Sequence, residues 1–573
     1  MIRIMLVGVS LCVLWGGADA VGLVDAVDLV DAVGLLGPAE GPPFVESRVD
    51  PVVDPSVHVA LAAQSGDTVC VWVFFTDKGI ETDEQYLAAL TEVEAGYSER
   101  AKARRKLRRT APGLFDYRDL PPAAGHIESV IATGAEMRTQ SRWLNAVSVE
   151  ASLEQIGAIA SQPFVRWIKP LARAVPPEPW VEDAGPGGGA VFDFYGYASE
   201  QLHQINIPAV HDLGFTGEGI EIGILDTGFV RTHEAFNEPG HEVQILDEWD
   251  FINNDPNVGK EPGDPSGQHR HGTYILGTLG AYKPNTLVGG AYDAAFYLAK
   301  TEDVSREEPI EEDFYVAGLE WIEANGADMA TSSLIYFDWY EQKDMNGRTA
   351  VTTKAVNIAT GNGLACCTAV GNEGHDNNPN TSHLGAPADA FEVLSCGAVN
   401  KHGEIASFSG DGPTADGRVK PEVLALGVSA ATVDPDRDTR YVHVSGTSLS
   451  TPLVACATAL VIDARPDWSV RQIRSAFMQT ADYYLEHGQS DPLFIYGYGV
   501  IDVLAAINMT FIGDIDRDGD TDLADYKLLH ACLDGPNVAP SPECTAADLD
   551  EDEDVDLADV ALFFENFTGL WER

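Results

Sequence analysis

The chain has 573 residues, of which 45% are hydrophobic, so it is long enough for several domains with substantial cores. It carries 89 Asp and Glu residues against 36 Lys and Arg residues, a formal net charge of -53. Such a surface argues against nucleic acids and anionic membranes as partners, and it favours divalent cations. A generally acidic proteome from a saline habitat would explain the same charge.

Residues 1–20 have the pattern of a signal peptide. Arg3 supplies a positive start, residues 4–15 form an apolar run too short to span a bilayer, and Ala18-Asp19-Ala20 offers small residues for cleavage. A cytosolic chain with an apolar start is the alternative. Because we predict no membrane span further along, we expect a secreted protein. Residues 21–56 are predicted to be a leader and a Pro-rich linker.

Residues 57–175 are predicted to form a small α+β domain. A β-branched and aromatic run at 69–75 indicates a buried strand, residues 83–109 a helix, and residues 143–168 a strand–helix–strand unit. The helix ends in a basic stretch, which either docks onto an acidic partner or forms a solvated face. The Pro- and Gly-rich segment 176–193 predicts a flexible linker.

Residues 194–508 are predicted to form an α/β domain. Apolar strands alternate with helical patterns, which is typical of a parallel sheet covered by helices on both faces. The predicted strands are 220–225, 296–299, 329–332, 364–369 and 393–399, and an amphipathic helix is predicted at 314–325.

Four polar residues stand where such a fold collects functional groups. Asp226 and Asn372 each follow a predicted strand, and ligands bind beyond the carboxyl ends of parallel strands. Ser448 follows a small-residue turn at the start of the apolar run 453–464, where a helix N-terminus offers free N–H groups to a negative charge. A nucleophilic serine needs a base and an orienting acid, for which His271 and Asp226 are the candidates.

The motifs around these residues resemble those of the subtilisin-like serine proteases, or subtilases. They are Asp226-Thr227-Gly228, His271-Gly272-Thr273, Gly371-Asn372-Glu373-Gly374 and Gly446-Thr447-Ser448-Leu449-Ser450-Thr451-Pro452. The resemblance covers about residues 195–505. It implies a secreted serine endopeptidase with a subtilisin-like fold, and it implies that residues 57–175 are an inhibitory propeptide that is cut away between residues 172 and 198.

The resemblance also implies a role for each residue, and it implies that the reaction needs no cofactor. Ser448 attacks the peptide bond, His271 is the base, Asp226 orients it, and Asn372 with the Ser448 N–H binds the oxyanion. Protein or peptide substrates bind as a strand along Ser332-Ser333-Leu334. Ile335 stands where the family usually has Gly, which leaves substrate preference open and allows a processing protease with few substrates.

The same residues allow other interpretations. Asp-Thr-Gly also marks aspartic proteases, but these need two such carboxylates, and the chain has one such motif. His233 and His269 lie near His271 without the Gly-Thr that follows it. A subtilase fold without catalysis, serving as a calcium-dependent binding component, is the alternative function.

Two matching acidic loops mark residues 511–568. Each has carboxylates at the spacing of a calcium-binding EF-hand loop, and calcium prefers such hard oxygen ligands. The residues are Asp514, Asp516, Asp518, Asp520, Asp522 and Asp525 in the first loop, and Asp548, Asp550, Asp552, Asp554, Asp556 and Asp559 in the second. Glu553 replaces the Gly that makes the sharp turn in the first loop.

The tandem loops resemble a type I dockerin, a small helical domain. The resemblance implies Ca²⁺ in both loops and a cohesin-like module as the partner. A calcium module without that partner, or a disordered acidic tail, remains open. Among the eight cysteines, Cys532 and Cys544 are the predicted disulfide because they close a short Pro-rich loop, and the pairing of the others stays open.

Overall fold

A computed structural model describes residues 46–50, 52–63, 66–172, 180–183, 193–304, 312–337 and 339–568. The predicted signal peptide and most of the predicted leader lie outside the described residues. The described chain forms an N-terminal domain (residues 46–172), a central domain (193–510) and a C-terminal domain (511–568).

The N-terminal domain is a four-stranded antiparallel sheet with helices. Its strands lie in the order Glu136–Ser141, Ala146–Ser152, Thr68–Phe75 and Val165–Pro170. The strand Thr68–Phe75 is central and buried, as its apolar run predicts. The helices are Ser56–Ala63, Asp83–Gly96, Glu99–Arg108, Ala124–Ile131 and Leu153–Ala160.

Two predictions for the N-terminal domain need correction. The helix predicted at 83–109 is two helices, because the chain breaks at Tyr97 and the Ser98 hydroxyl caps the second one by accepting from the Ala101 N–H. Part of the predicted linker before residue 57 belongs to this domain, since the Asp54 N–H donates to the Ile168 carbonyl at 2.8 Å. That pairing is non-local, so a Pro-rich composition does not reveal it.

The central domain is built on a seven-stranded parallel sheet, as predicted. The order is Val423–Leu426, Leu394–Val399, Ala365–Ala369, Met329–Ser332, Glu221–Asp226, Ala295–Lys300 and Gln244–Asp250. The two edge strands, Val423–Leu426 and Gln244–Asp250, were not predicted. The inner strands are buried on both faces, and they consist of small and apolar residues with a few threonines and serines.

Helices cover both faces of this sheet. They are Ser199–Gln204, Ile207–His211, Arg270–Gly280, Glu312–Asn325, Val351–Gly361, Thr447–Ala464, Val470–Thr480, Asp482–His487 and Val503–Ile507. By length and composition Thr447–Ala464 would suit a membrane span, although no such stretch was predicted, but 89% of it is buried inside the protein. It is the core helix of the domain.

The predicted linker 176–193 contains a strand. Trp180–Asp183 pairs antiparallel with Tyr441–Ser445, the strand that leads into Ser448, and Ala430–Val433 lies on its other side. The prediction of a flexible linker is therefore wrong at these four residues. Their partner lies about 260 residues along the chain, so no local pattern could announce the pairing.

The C-terminal domain has two short helices, Leu523–Cys532 and Leu557–Glu565, each directly after an aspartate loop. A disulfide joins Cys532 to Cys544, as expected. Among the described residues, Cys366, Cys367, Cys396 and Cys456 are buried thiols outside any disulfide, and Cys70 is buried as well. Leu529, Val555 and Phe563 form the small core between the helices.

Candidate active site

The four predicted catalytic residues gather at the carboxyl edge of the parallel sheet. Asp226 is the last residue of its strand, and Asn372 lies three residues beyond the strand Ala365–Ala369. His271 and Ser448 each stand in the first turn of a helix, and these two helices pack against each other. Distant parts of the sequence thus meet where parallel sheets place their functional residues.

Asp226 and His271 form a buried hydrogen-bonded pair. The Nδ1 atom of His271 lies 2.8 Å from Oδ1 and 3.0 Å from Oδ2 of Asp226, and Asp226 is fully buried. Thr227 adds its N–H to Oδ1 at 2.7 Å. An acid held in this way fixes the ring so that Nδ1 faces the carboxylate and Nε2 is free to take a proton.

The motif glycines allow the two segments to approach. A Cβ on Gly272 would lie 2.4 Å from the Gly228 carbonyl oxygen and 3.1 Å from the Asp226 Cβ. Gly228 has φ +126°, a conformation that side-chain-bearing residues rarely adopt. The Gly residues beside Asp226 and His271 are therefore needed for their contact.

Ser448 lies at the N-terminal end of the core helix with its hydroxyl unused. Neither Ser448 Oγ nor His271 Nε2 has a hydrogen-bond partner among the described residues, although both atoms are buried. The Ser448 N–H lies in the first turn, where helix N–H groups lack intrahelical acceptors. The site thus has a serine hydroxyl, an imidazole nitrogen and a donor available to a substrate.

Asn372 is held beside the same helix end. Its Oδ1 accepts from the N–H and from the hydroxyl of Thr447, both at 2.9 Å. Because Oδ1 faces Thr447, the Nδ2 amide group remains as a donor for another acceptor. The arrangement can present a side-chain N–H to an oxyanion next to Ser448.

The predicted substrate segment also reaches this site. Ser332 ends its strand, Ser333 donates from Oγ to the Ser448 carbonyl at 3.1 Å, and Leu334 is fully buried. Ile335 is buried too, with its side chain against the backbone of Gly371 and Gly385. Its bulk is directed toward the loop that carries Asn372.

Three supporting residues escaped the sequence reasoning. Thr227 and Thr447 lie inside the quoted motifs, and they anchor Asp226 and Asn372 respectively. Gln268 donates to the carbonyls of Thr227 and Glu302 and accepts from the Val304 N–H. Motif position could have suggested the threonines, whereas Gln268 shows no local signal.

The other nearby histidines serve structural contacts. The Nε2 atom of His233 lies 2.8 Å from the Arg440 carbonyl, and its Nδ1 accepts from the Ala235 N–H. The nearest acid to His269 is Asp436, at 3.7 Å. Neither histidine pairs with Asp226 in the way His271 does.

The N-terminal domain lies on the helix Glu312–Asn325, which packs against the parallel sheet. Four acidic residues of this helix are buried against it: Glu312, Asp313, Glu320 and Glu323. Arg105 binds Glu323 at 2.8 Å, Arg104 binds the same carboxylate, and Arg138 binds Asp313 at 2.9 Å. The basic stretch is thus a docking surface, and its alternative, a solvated face, is wrong for Arg104 and Arg105.

Ionisation at this contact follows from burial and charge. Burial alone would raise the pKa of Glu323, but the guanidinium groups of Arg104 and Arg105 lower it to about 2. Burial raises the pKa of Glu312 to about 7, against the opposing effect of Lys169. Glu312 accepts from Trp72 Nε1 at 3.0 Å and from the Tyr340 hydroxyl at 2.9 Å.

Both aspartate loops collect carboxylate oxygens within 4.8 Å of one another. The groups are Asp514, Asp516, Asp518 and Asp525; Asp520, Asp522 and Asp525; Asp548, Asp550 and Asp559; and Asp554, Asp556 and Asp559. Asp552 is not in these groups, and it accepts from the Asp554 N–H at 3.3 Å. The Oδ1 atoms of Asp520 and Asp554 are buried without a partner among the described residues, which fits a hard cation.

Family models match two parts of the chain. The model for the subtilase family matches residues 217–499, and the model for the peptidase S8 propeptide domain of Bacteroidota matches residues 70–180. The first covers the sheet edge that carries the four predicted catalytic residues, and the second covers most of the N-terminal domain.

Individual relatives agree with this. The chain is 31% identical to subtilisin from Bacillus pumilus over 306 residues, which covers 53% of this chain and 97% of the relative. It is 28% identical to subtilisin E from Bacillus subtilis (strain 168), covering 65% of this chain and 83% of the relative. The fold is similar to that of fervidolysin from Fervidobacterium pennivorans, with TM-score 0.53 and 20% identity over 67% of this chain and 60% of that one.

Proposed function

The chain belongs to the subtilase family of serine endopeptidases and carries an N-terminal propeptide domain, and on this premise we propose that Asp226, His271 and Ser448 form its catalytic triad. The observation that carries the proposal is the 2.8 Å hydrogen bond between His271 Nδ1 and Asp226, which leaves Nε2 for the Ser448 hydroxyl. Metal and organic cofactors have no part in this chemistry.

In the proposed reaction Ser448 Oγ attacks the scissile carbonyl while His271 Nε2 takes its proton. Asp226 stabilises the imidazolium that forms, and His271 then returns the proton to the leaving amine. Asn372 Nδ2 and the Ser448 N–H donate to the oxyanion of the tetrahedral intermediate. Water then hydrolyses the acyl-enzyme in a second, similar half-reaction.

We place the substrate strand along Ser332-Ser333-Leu334. The contact of Ser333 with the Ser448 carbonyl supports this assignment. Because Ile335 is packed against Gly371 and Gly385, substrate preference here depends on the position of the Asn372 loop. Cleavage of a peptide library tests whether the enzyme has few substrates, and broad cleavage would count against that narrower function.

Maturation is proposed to cleave the chain between Ala172 and Trp180. The Leu171 carbonyl is held by Trp339 Nε1 at 2.9 Å, near the substrate segment, while Trp180–Asp183 pairs with the strand that leads into Ser448. The proposed cut lies between these two anchors. Secretion is supported by the resemblance to secreted subtilisins and by the signal pattern of residues 1–20.

We propose that the C-terminal domain binds one Ca²⁺ in each aspartate loop, as a dockerin does. The unpartnered Asp520 and Asp554 oxygens support this. Leu523, Leu557 and Phe564 are 69%, 77% and 55% exposed, which suits a protein partner such as a cohesin-like module. Analytical ultracentrifugation with a cohesin, with and without calcium, tests this interaction.

Mass spectrometry of the wild type and Ser448→Ala after incubation with calcium tests the catalytic assignment. The wild type is expected to lose a fragment that ends between residues 172 and 180, whereas Ser448→Ala stays whole. Ser450→Ala, which removes a hydroxyl bound to the Thr447 carbonyl on the same helix, is the control and should still process. If the wild type is inactive on peptides and unlabelled by a serine-reactive probe, the alternative of a non-catalytic binding component is favoured.

A further inference from the structure

The first aspartate loop (residues 514–525) lies directly on the central domain. Gln472 donates from Nε2 to Asp514 Oδ2 at 2.9 Å, and Ser475 donates from Oγ to the Gly519 carbonyl at 2.6 Å. Both donors belong to the helix Val470–Thr480. The loop is thus bound through one of its proposed calcium ligands and through its backbone.

Close packing accompanies these hydrogen bonds. A Cβ on Gly519 would lie 2.6 Å from Ser475 Cβ, so a side chain at this position would separate the loop from the helix. Ser469 donates to the Arg517 carbonyl at 2.7 Å, and the rings of Trp468 and Phe511 meet edge to face at 5.1 Å. The contact extends from the start of the loop to its turn.

The helix Val470–Thr480 is anchored in the central domain by core packing and by ion pairs. Its inner face packs into the main core through Ile473 and Phe477. Arg474 binds Glu422 at 2.6 Å and Glu392 at 2.7 Å, which ties the helix to the edge of the parallel sheet. Whatever fixes the loop on this helix also stabilises that edge.

The second aspartate loop (residues 548–559) provides a control within the chain. The Gly519 N–H donates to Asp514 and the Glu553 N–H donates to Asp548, both at 3.1 Å, so the turns match. In the described residues, however, the hydrogen bonds of Asp548 come from its own loop. The two loops share a conformation and differ in their surroundings.

We propose that the first aspartate loop is a calcium-dependent clasp that holds the C-terminal domain on the central domain, while the second loop binds calcium without this coupling. The inference rests on the proposed binding of calcium by both loops. Calcium fixes the carboxylates around it, and thereby the Asp514 and Gly519 positions that the helix contacts. Gln472 acts as an outer partner of a ligand, which such groups orient.

Calcium linkage gives the expected size. A ligand that binds only the closed state slows opening exchange by the factor 1 + [L]/Kd, which is about 100-fold at 100 times Kd. The test uses the full chain with Ser448→Ala to prevent self-cleavage. Isothermal titration calorimetry counts bound calcium, and hydrogen exchange by mass spectrometry follows the amides of residues 470–480, with calcium or with a chelator.

The matched variants are Asp514→Asn and Asp548→Asn, one in each loop. We expect each to bind one calcium ion fewer than the parent chain. Calcium should still slow exchange at residues 470–480 in Asp548→Asn, but not in Asp514→Asn. Gln472→Ala, which leaves both loops intact, should weaken one of the two calcium sites about tenfold and reduce the protection.

Several results would overturn the proposal. One is calcium binding to both loops with unchanged exchange at 470–480, which would leave the proposed calcium function standing. Another is an equal loss of protection in Asp514→Asn and Asp548→Asn. Failure of the parent chain to bind calcium in the calorimeter would overturn both this proposal and the calcium function. The number of calcium ions bound per chain therefore distinguishes a failure of calcium binding from a failure of the coupling alone.

Discussion

The N-terminal and C-terminal domains both rest on the central domain, but through different chemistry. The N-terminal contact buries ion pairs, with Glu323 between Arg104 and Arg105. The C-terminal contact joins a loop proposed to need calcium to the neutral donors Gln472 and Ser475, and the Arg517 guanidinium of that loop donates to the Asp467 carbonyl. Removing one partner of a buried ion pair is strongly destabilising. The strength of the loop contact instead depends on what fixes the conformation of the loop.

The difference suits the fate of each domain. Once a propeptide is cut from the chain, its charged groups can return to water, which offsets the loss of the buried pairs. The loop contact is held by hydrogen bonds to a loop that is proposed to need calcium, and calcium concentration can therefore set its strength. The following predictions test this contrast, from the largest expected effect to the smallest.

Removing the shared acid should have the largest effect. Glu323→Ala leaves the buried Arg104 without its paired carboxylate, while Arg105 keeps its pair with Asp119, and it should lower the free energy of unfolding of the proprotein by about 3–5 kcal/mol. Urea unfolding of the Ser448→Ala proprotein measures it. Glu341→Ala, which breaks an exposed pair with Lys343, is the control and should have no measurable effect. Equal effects would show that burial of the pair is unimportant.

The N-terminal contact should also depend on pH through Glu312. Its pKa is raised from 4.5 to about 7 by burial, so the folded proprotein holds a proton that the unfolded chain has released. The stabilising contribution is complete below about pH 4.5 and is lost as pH rises through about 7, by up to about 3 kcal/mol.

Unfolding of the Ser448→Ala proprotein at several pH values between 4.5 and 7.5 measures this dependence. Glu312→Gln should remove this part of the slope, because glutamine keeps the size of the side chain and does not titrate. An unchanged slope in Glu312→Gln would assign the dependence to other groups.

Gly519→Ala should loosen the C-terminal contact by an intermediate amount. Gly519 has φ +95°, and this left-handed conformation should cost alanine about 1–2 kcal/mol. The added Cβ would also meet Ser475. The calcium-dependent protection of residues 470–480 should fall accordingly. Calorimetry serves as the control, since the second loop should keep its affinity. Unchanged protection would mean that the loop does not approach the helix closely.

Glu553→Gly should have the smallest effect and the opposite sign. Glu553 adopts φ +72° at the position equivalent to Gly519, and glycine removes the strain of about 1 kcal/mol. The calcium affinity of the second loop should rise about fivefold, measured by calorimetry, without a change in the exchange of residues 470–480. A rise in that protection would indicate that the second loop is coupled to the central domain as well.

Sequence by itself determined the parallel sheet and the candidates at its edge. Apolar runs such as residues 296–299 set the buried strands, and each motif is short and local, so Asp226, His271, Asn372 and Ser448 could be named without coordinates. The twin aspartate loops and the Cys532–Cys544 pair were equally local signals. Local order along the chain suffices for these features.

Only the tertiary structure decided how the parts meet. The strand Trp180–Asp183, the pairing of Arg105 with Glu323 and the contact of Gln472 with Asp514 each join residues separated by 40 to 260 positions. Gln268 likewise donates to two carbonyls, those of Thr227 and Glu302, that only the fold brings together. Such contacts depend on packing between elements, and composition and periodicity within one element carry no information about them.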